Sequence, residues 1–205
     1  MMNTLPEVKV YWAHKKADQY WFEKSQKKCK IPKGAFERYI GFAVLPALSE
    51  AVPMIASEEL LMRSRTMYAG SFICGIAGRD YTIVTISPKV YADLVNDEKL
   101  ESIIDHELGH VFCGHLADMK PVMEKNKERV AHQMADEIDP EEMEADQFAM
   151  RRRSKEDLIY GLEYMLSHGQ EHFDTHGVSE KYREAAKGEL IHRIQYWKNH
   201  EESGE

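Results

Sequence analysis

Leu100-Glu-Ser-Ile-Ile-Asp-His-Glu-Leu-Gly-His-Val-Phe-Cys-Gly-His-Leu116 is the stretch from which the rest of the chain can be read. Leu100, Ile103, Ile104, Leu108 and Val111 recur at helical spacing and share one broad stripe, which predicts an amphipathic helix with a buried face. At about 100° per residue, His106 and His110 lie about 40° apart, one turn above the other, at the flank of that stripe. Two imidazoles so placed can reach one metal ion at about 2.0–2.1 Å, the distance zinc requires. Glu107 cannot comfortably bind the same ion but can hold a water beside it. The spacing therefore predicts His106 and His110 as metal ligands and Glu107 as general base.

A third ligand has to come from elsewhere. A three-histidine site would need a His six residues after His110, and position 116 is Leu. His115 comes one residue early and, on a continuing helix, points nearly opposite His106, so its expected role is structural. Asp139-Pro-Glu-Glu-Met-Glu-Ala-Asp-Gln-Phe-Ala149 offers a glutamate on a second helix, with Asp139 as N-cap and Pro140 as first helical residue. Glu142, Ala145, Asp146 and Ala149 share a face, where the small alanines permit close approach to a neighbour. Glu142 is then the expected third ligand, and Asp146 the carboxylate that orients a ligand His. Glu144 lies about 200° from Glu142, so both cannot face one metal.

These segments together resemble a gluzincin peptidase. His106-Glu-Leu-Gly-His110, the following Gly114-His115, and Glu142-Met-Glu-Ala-Asp146 are most similar to the family of the CAAX prenyl proteases and the bacterial heat-shock membrane protease. There the glutamate opening Glu-x-x-x-Asp is the third zinc ligand, which maps onto Glu142. The resemblance covers about residues 80–150. Farther on, Thr175-His176 with Arg183 is similar to the family's Thr-His-Pro…Arg segment, although Gly177 replaces the proline. His176 is accordingly the candidate donor to the oxyanion of a tetrahedral intermediate. The soluble gluzincin peptidases that cleave phage and stress-response repressors share a similar His-Glu-x-x-His…Gly-His and Glu-x-x-Ala pattern.

Composition bounds the rest. A chain of 205 residues, 43% hydrophobic and 30% charged, is an ordinary globular protein with room for a sizeable core. Its net charge of −8 argues against nucleic-acid binding, which needs basic surface to displace counterions. Arg151-Arg-Arg153 reads as a basic end to the second helix, suited to its dipole. Three widely spaced cysteines, Cys29, Cys74 and Cys113, form no disulfide or zinc-ribbon pattern, which points to a reducing, cytoplasmic setting. No signal peptide is apparent, and the most apolar window, 41–56, is broken by Pro46, Glu50 and Pro53. No membrane insertion is expected, a departure from the membrane-embedded relatives that argues against a prenylated or membrane substrate.

Taken in order, Val8–Trp12 reads as a short strand and His14–Lys28 as a helix. Residues 35–65 read as helical with interruptions near Pro46 and Pro53. Between Met67 and Ser87 the texture turns to β, with a hairpin about Gly78-Arg-Asp80. Ser87-Pro88 starts a helix or turn, and Asp97 caps the helix bearing the histidines. Residues 117–138 are a polar connector or lid. Ser154 starts another helix that Gly169 stops, and Ser179 caps the last, whose apolar side carries Leu190, Ile191, Ile194 and Trp197.

The expected fold is α+β, a gluzincin-like core in which a small sheet packs against the His-Glu-x-x-His helix and a Glu-bearing one. The expected division is a mostly helical region 1–65, a peptidase core 66–200 and a disordered tail 201–205. The expected function is zinc-dependent hydrolysis of protein or peptide substrates with one Zn²⁺. The alternative is a zinc-stabilised protein that binds without cleaving.

Overall fold

β-branched and aromatic residues crowd the chain between Ala69 and Ile86, and there it forms the expected hairpin: β4, Ala69–Ile76, and β5, Arg79–Ile86. The structure, a computed structural model, describes residues 7–32, 34–36, 38–45, 51–64, 68–116, 137–175 and 180–200. The hairpin turn falls on Ala77-Gly78, with φ of 50° and 77°. Two successive left-handed residues match the twist of the flanking strands, so the tightest turn wins over one centred on Gly78-Arg79-Asp80. The other strands are β1, Lys9–Trp12, β2, Tyr39–Val44, and β3, Ala51–Ala56.

The five strands form one sheet in the order β1-β2-β3-β5-β4. All neighbours are antiparallel except β3 and β5, which run parallel from Met54 opposite Val84 to Ala56 opposite Ile86. The described residues between 35 and 65 thus differ from the helical expectation, with helix among them only in α2, Glu58–Ser64. The reason is burial on both faces. Ile40 to Ala43 are all buried, as are Pro53 to Ala56, so these inner strands show no apolar–polar alternation. Pro53 is accommodated because the pairing of β3 with β5 begins one residue later. One sheet holds strands from both sides of residue 65, with β3 paired to β5.

Pleating sorts the side chains onto two faces. On one, Ile40, Met54, Ala56, Val84 and Ile86 meet α3, Pro88–Leu94, the 3-10 turn Glu98–Leu100 and α4, Glu101–Phe112, through Val90, Leu94, Leu100, Ile103, Ile104 and Leu108. On the other, α1, Gln19–Cys29, lays Phe22 and Cys29 on Phe42 and Ala51, while α2 sets Leu60 against Ile55 and Ile83. Three more helices, α5, Pro140–Arg152, α6, Lys155–Thr175, and α7, Glu180–Asn199, close a second core of Ala149, Leu158, Leu162, Leu190, Ile194 and Trp197. Ile191 falls outside it and is 40% exposed. α6 passes through Gly169, so that glycine does not stop it.

The caps behave as their chemistry demands. Ser87, Asp97, Asp139 and Ser154 each accept a backbone N–H two or three residues on, but Asp97 caps the 3-10 turn Glu98–Leu100 that leads into α4 and not α4 itself, whose N-cap Leu100 makes no side-chain cap. The arginines ending α5 do more than complement its dipole. Arg152 and Arg153 both reach the buried Asp105 on α4, at 2.5 and 2.9 Å, and Arg153 also binds the buried Glu101. Among the described residues the cysteines form no disulfide, and the Cys29 thiol donates to the Ala51 carbonyl at 3.4 Å. Among the described residues no helix is long and apolar enough to cross a membrane.

Candidate metal centre

α4 and α5 touch more closely than side chains usually allow, and this contact builds the site. A Cβ at Gly109 would lie 2.7 Å from the Ala145 Cα and 2.9 Å from its carbonyl oxygen. Only glycine facing alanine lets the two backbones meet. Glu142, one turn before Ala145, is thereby carried alongside His106 and His110.

The three side chains converge. His106 Nε2 lies 3.2 Å from His110 Nε2 and 3.2 Å from Glu142 Oε2, and His110 Nε2 lies 3.7 Å from Glu142 Oε1. Donor atoms about 2.0–2.1 Å from one four-coordinate ion would stand about 3.3 Å apart, so the spacing fits a single metal. Two imidazole nitrogens facing each other and a carboxylate also repel unless a cation or proton lies between them. His106, His110 and Glu142 can therefore hold a metal ion, and two imidazoles with one carboxylate suit zinc. Glu107 stands beside them on α4, half-buried, and among the described residues nothing engages its carboxylate in a hydrogen bond or ion pair.

Behind the donors lies a fully buried network. His106 Nδ1 is 2.8 Å from Asp146 Oδ1, which accepts its proton and leaves the Nε2 lone pair for the site. Asp146 also accepts from Arg193 Nε at 2.9 Å, Arg193 Nη2 at 2.5 Å and Trp197 Nε1 at 2.9 Å. Arg193 Nη1 donates to Glu142 Oε2 at 2.9 Å, so one guanidinium holds both carboxylates of α5. Burial pushes the Asp146 carboxyl up, but Arg193 and His106 outweigh it and bring it to about 2. Burial, and then Arg193, pull the His106 imidazole down, yet its hydrogen bonds to Asp146 and Glu142 prevail and raise it to about 9. Without metal, His106 thus holds a proton at neutral pH that a metal must displace.

His110 is supported from the other side, by a residue expected to point away. α4 ends at Phe112, and Gly114, at φ +89°, turns the chain back so that the His115 N–H meets the His110 carbonyl at 3.1 Å. The His115 ring then lies with Nδ1 2.9 Å from His110 Nδ1 and Nε2 3.0 Å from Glu144 Oε2. His115 is no ligand of the trio, but it orients one. Glu144 is exposed and turned away from the trio, as the helical angle requires.

Arg193 is the residue the sequence reading passed over. Its signal was present: it stands within the Leu190, Ile194, Trp197 stripe, where a lone arginine needs a buried acidic partner. His176 and Ser179 lie outside the described residues, as does the connector 117–136. No family model, no curated protein and no solved structure matches the chain.

Proposed function

We propose that this chain is a zinc-dependent metallopeptidase of gluzincin type that hydrolyses peptide bonds in protein or peptide substrates. The observation that supports the reading is the convergence of His106, His110 and Glu142 beside a Glu107 carboxylate that nothing else among the described residues engages. A purely structural metal site has no use for a free base at that position. Held by His106, His110 and Glu142, zinc would supply Lewis acidity toward a substrate carbonyl and toward water. The Glu107 carboxylate takes the proton of the attacking water and later delivers it to the leaving amide nitrogen. Asp146 keeps the His106 proton on Nδ1, and Arg193 holds the Glu142 carboxylate in place while it balances the buried negative charge.

The sheet supports one mode of substrate binding. Among the described residues β4 is an edge strand and α4 packs against it, so an extended peptide paired to that edge would run beside the metal helix. The backbone supplies the affinity in this mode, which suits a peptide rather than a small molecule.

Metal analysis combined with chelation tests the proposal. Purified protein should carry about one zinc per chain, cleave an unstructured protein such as casein, lose cleavage to a chelator and regain it with zinc. A protein that takes up no zinc, or cleavage that survives complete zinc removal, would overturn it.

A further inference from the structure

A second set of donor atoms lies next to the first and shares none of its residues. Cys113 Sγ, a ring nitrogen of His115 and a carboxylate oxygen of Glu144 all lie within 4.8 Å of one another. The left-handed Gly114 makes this possible, turning the chain so that Cys113 and His115 both face the Glu144 carboxylate on α5. His115 Nε2 and Glu144 Oε2, 3.0 Å apart, already stand near ligand-to-ligand spacing, about 3.3 Å around a four-coordinate ion. His115 is buried and held by His110, whereas the Cys113 thiol is half-buried and Glu144 exposed, leaving those two to close on an ion arriving from solvent. Thiolate, imidazole and carboxylate together favour zinc or a softer divalent ion over magnesium or calcium.

We propose that Cys113, His115 and Glu144 form a second metal site, for a thiophilic divalent cation, and that filling it weakens metal binding by His106, His110 and Glu142. The site stands on its own geometry; the antagonism rests on the proposed function of the first centre. Its origin is a proton count. His110 Nδ1 and His115 Nδ1 are 2.9 Å apart, a gap that holds one proton. With His110 Nε2 serving the first centre, His110 carries its proton on Nδ1 and donates it to His115 Nδ1. Neutral His115 then carries its own proton on Nε2 and donates it to Glu144. A cation at the second site takes His115 Nε2 as ligand, so the His115 proton moves to Nδ1, and the Cys113 thiol proton leaves to solvent. No electron is transferred. Two N–H groups now oppose each other across the gap. The conflict is relieved when the His110 proton moves to Nε2, which withdraws His110 from the first centre.

Cadmium is the probe, because only the second site contains sulfur and thiolate-to-cadmium charge transfer absorbs in the ultraviolet. Wild type, Cys113→Ser and Glu142→Ala, each exposed to zinc and then freed of excess, would be assayed for bound zinc and titrated with Cd²⁺ while released zinc is read with a chromogenic indicator. Wild type should develop the band to about one equivalent and release its zinc as the band grows. Cys113→Ser should lose the band with Cys29 and Cys74 still present, and should hold its zinc to roughly ten-fold higher cadmium. Glu142→Ala, with its first centre broken, should develop the band at roughly ten-fold lower cadmium, the scale on which outer partners affect metal affinity. Glu144→Gln, on an exposed side chain, should weaken the band without harming the fold. No band in wild type, or a band that survives Cys113→Ser, would overturn the second site. Equal band affinity in wild type and Glu142→Ala would overturn the antagonism. Zinc retained by Glu142→Ala would overturn the first centre, and with it the coupling, while a Cys113-dependent band would still support the second site.

Discussion

A guanidinium as buried as that of Arg193, 3% exposed, is tolerable only among carboxylates, and it sits between Asp146 and Glu142. Removing one partner is costlier than the pair is worth, because the charge left behind has no water to turn to. Asp146→Ala should therefore destabilise the protein by about 3–5 kcal/mol and, by releasing the His106 ring, weaken zinc by about 10–100-fold. Denaturant midpoints and zinc titration measure the two losses; a variant as stable as wild type would show that Arg193 finds its compensation elsewhere. The same residues set a pH dependence. His106 without metal is raised from its ordinary 6.5 to about 9, so its contribution to stability is complete below 6.5 and is lost as pH rises through 9. Metal-free protein should lose denaturant resistance over that interval, while zinc affinity climbs over it as the competing proton leaves. Metal-free stability that rises between pH 6.5 and 9 would contradict the assignment.

Among the elements, the contact of α4 with α5 governs the site. Alanine is the better helix former than glycine by about 1 kcal/mol, but at position 109 the added carbon would strike backbone atoms of Ala145 under 3 Å away. Overpacking of this kind costs about 1–3 kcal/mol, and backbone cannot swing aside, so the clash wins. Gly109→Ala should push α5 outward, carry Glu142 off the histidines and lower zinc affinity more than it lowers Tm; unchanged zinc binding would mean that the helices can part without moving the glutamate. The convergence of His106, His110 and Glu142, with Asp146 behind them, was legible in the sequence because the His-Glu-x-x-His pattern and helical spacing together indicate which side chains share a face, and the paired alanines announced the close approach. β2 and β3 were not, since strands buried on both faces lose their alternation and read like buried helix. Arg193 escaped because its partner Asp146 is 47 residues away, beyond any local pattern. His115 escaped because the helix was extended through a glycine that ends it.

At the scale of the whole molecule, α4 is held on every side by chemistry that fixes its position. The sheet takes its apolar face, Arg152 and Arg153 clamp Asp105 and Glu101 near its start, and α5 and α7 supply Glu142, Asp146 and Arg193 farther along. Metal ligands on rigid, packed elements keep their geometry better than ligands on loops. Glu107 is the exception, a carboxylate with no structural partner among the described residues, and replacing it should disturb nothing but chemistry. The central claim is therefore tested most directly by comparing casein hydrolysis by wild type and Glu107→Gln, each loaded with zinc and matched for zinc content. The account predicts cleavage by the wild type and a rate indistinguishable from background for Glu107→Gln with its zinc intact. Equal cleavage by the two zinc-loaded proteins would contradict it.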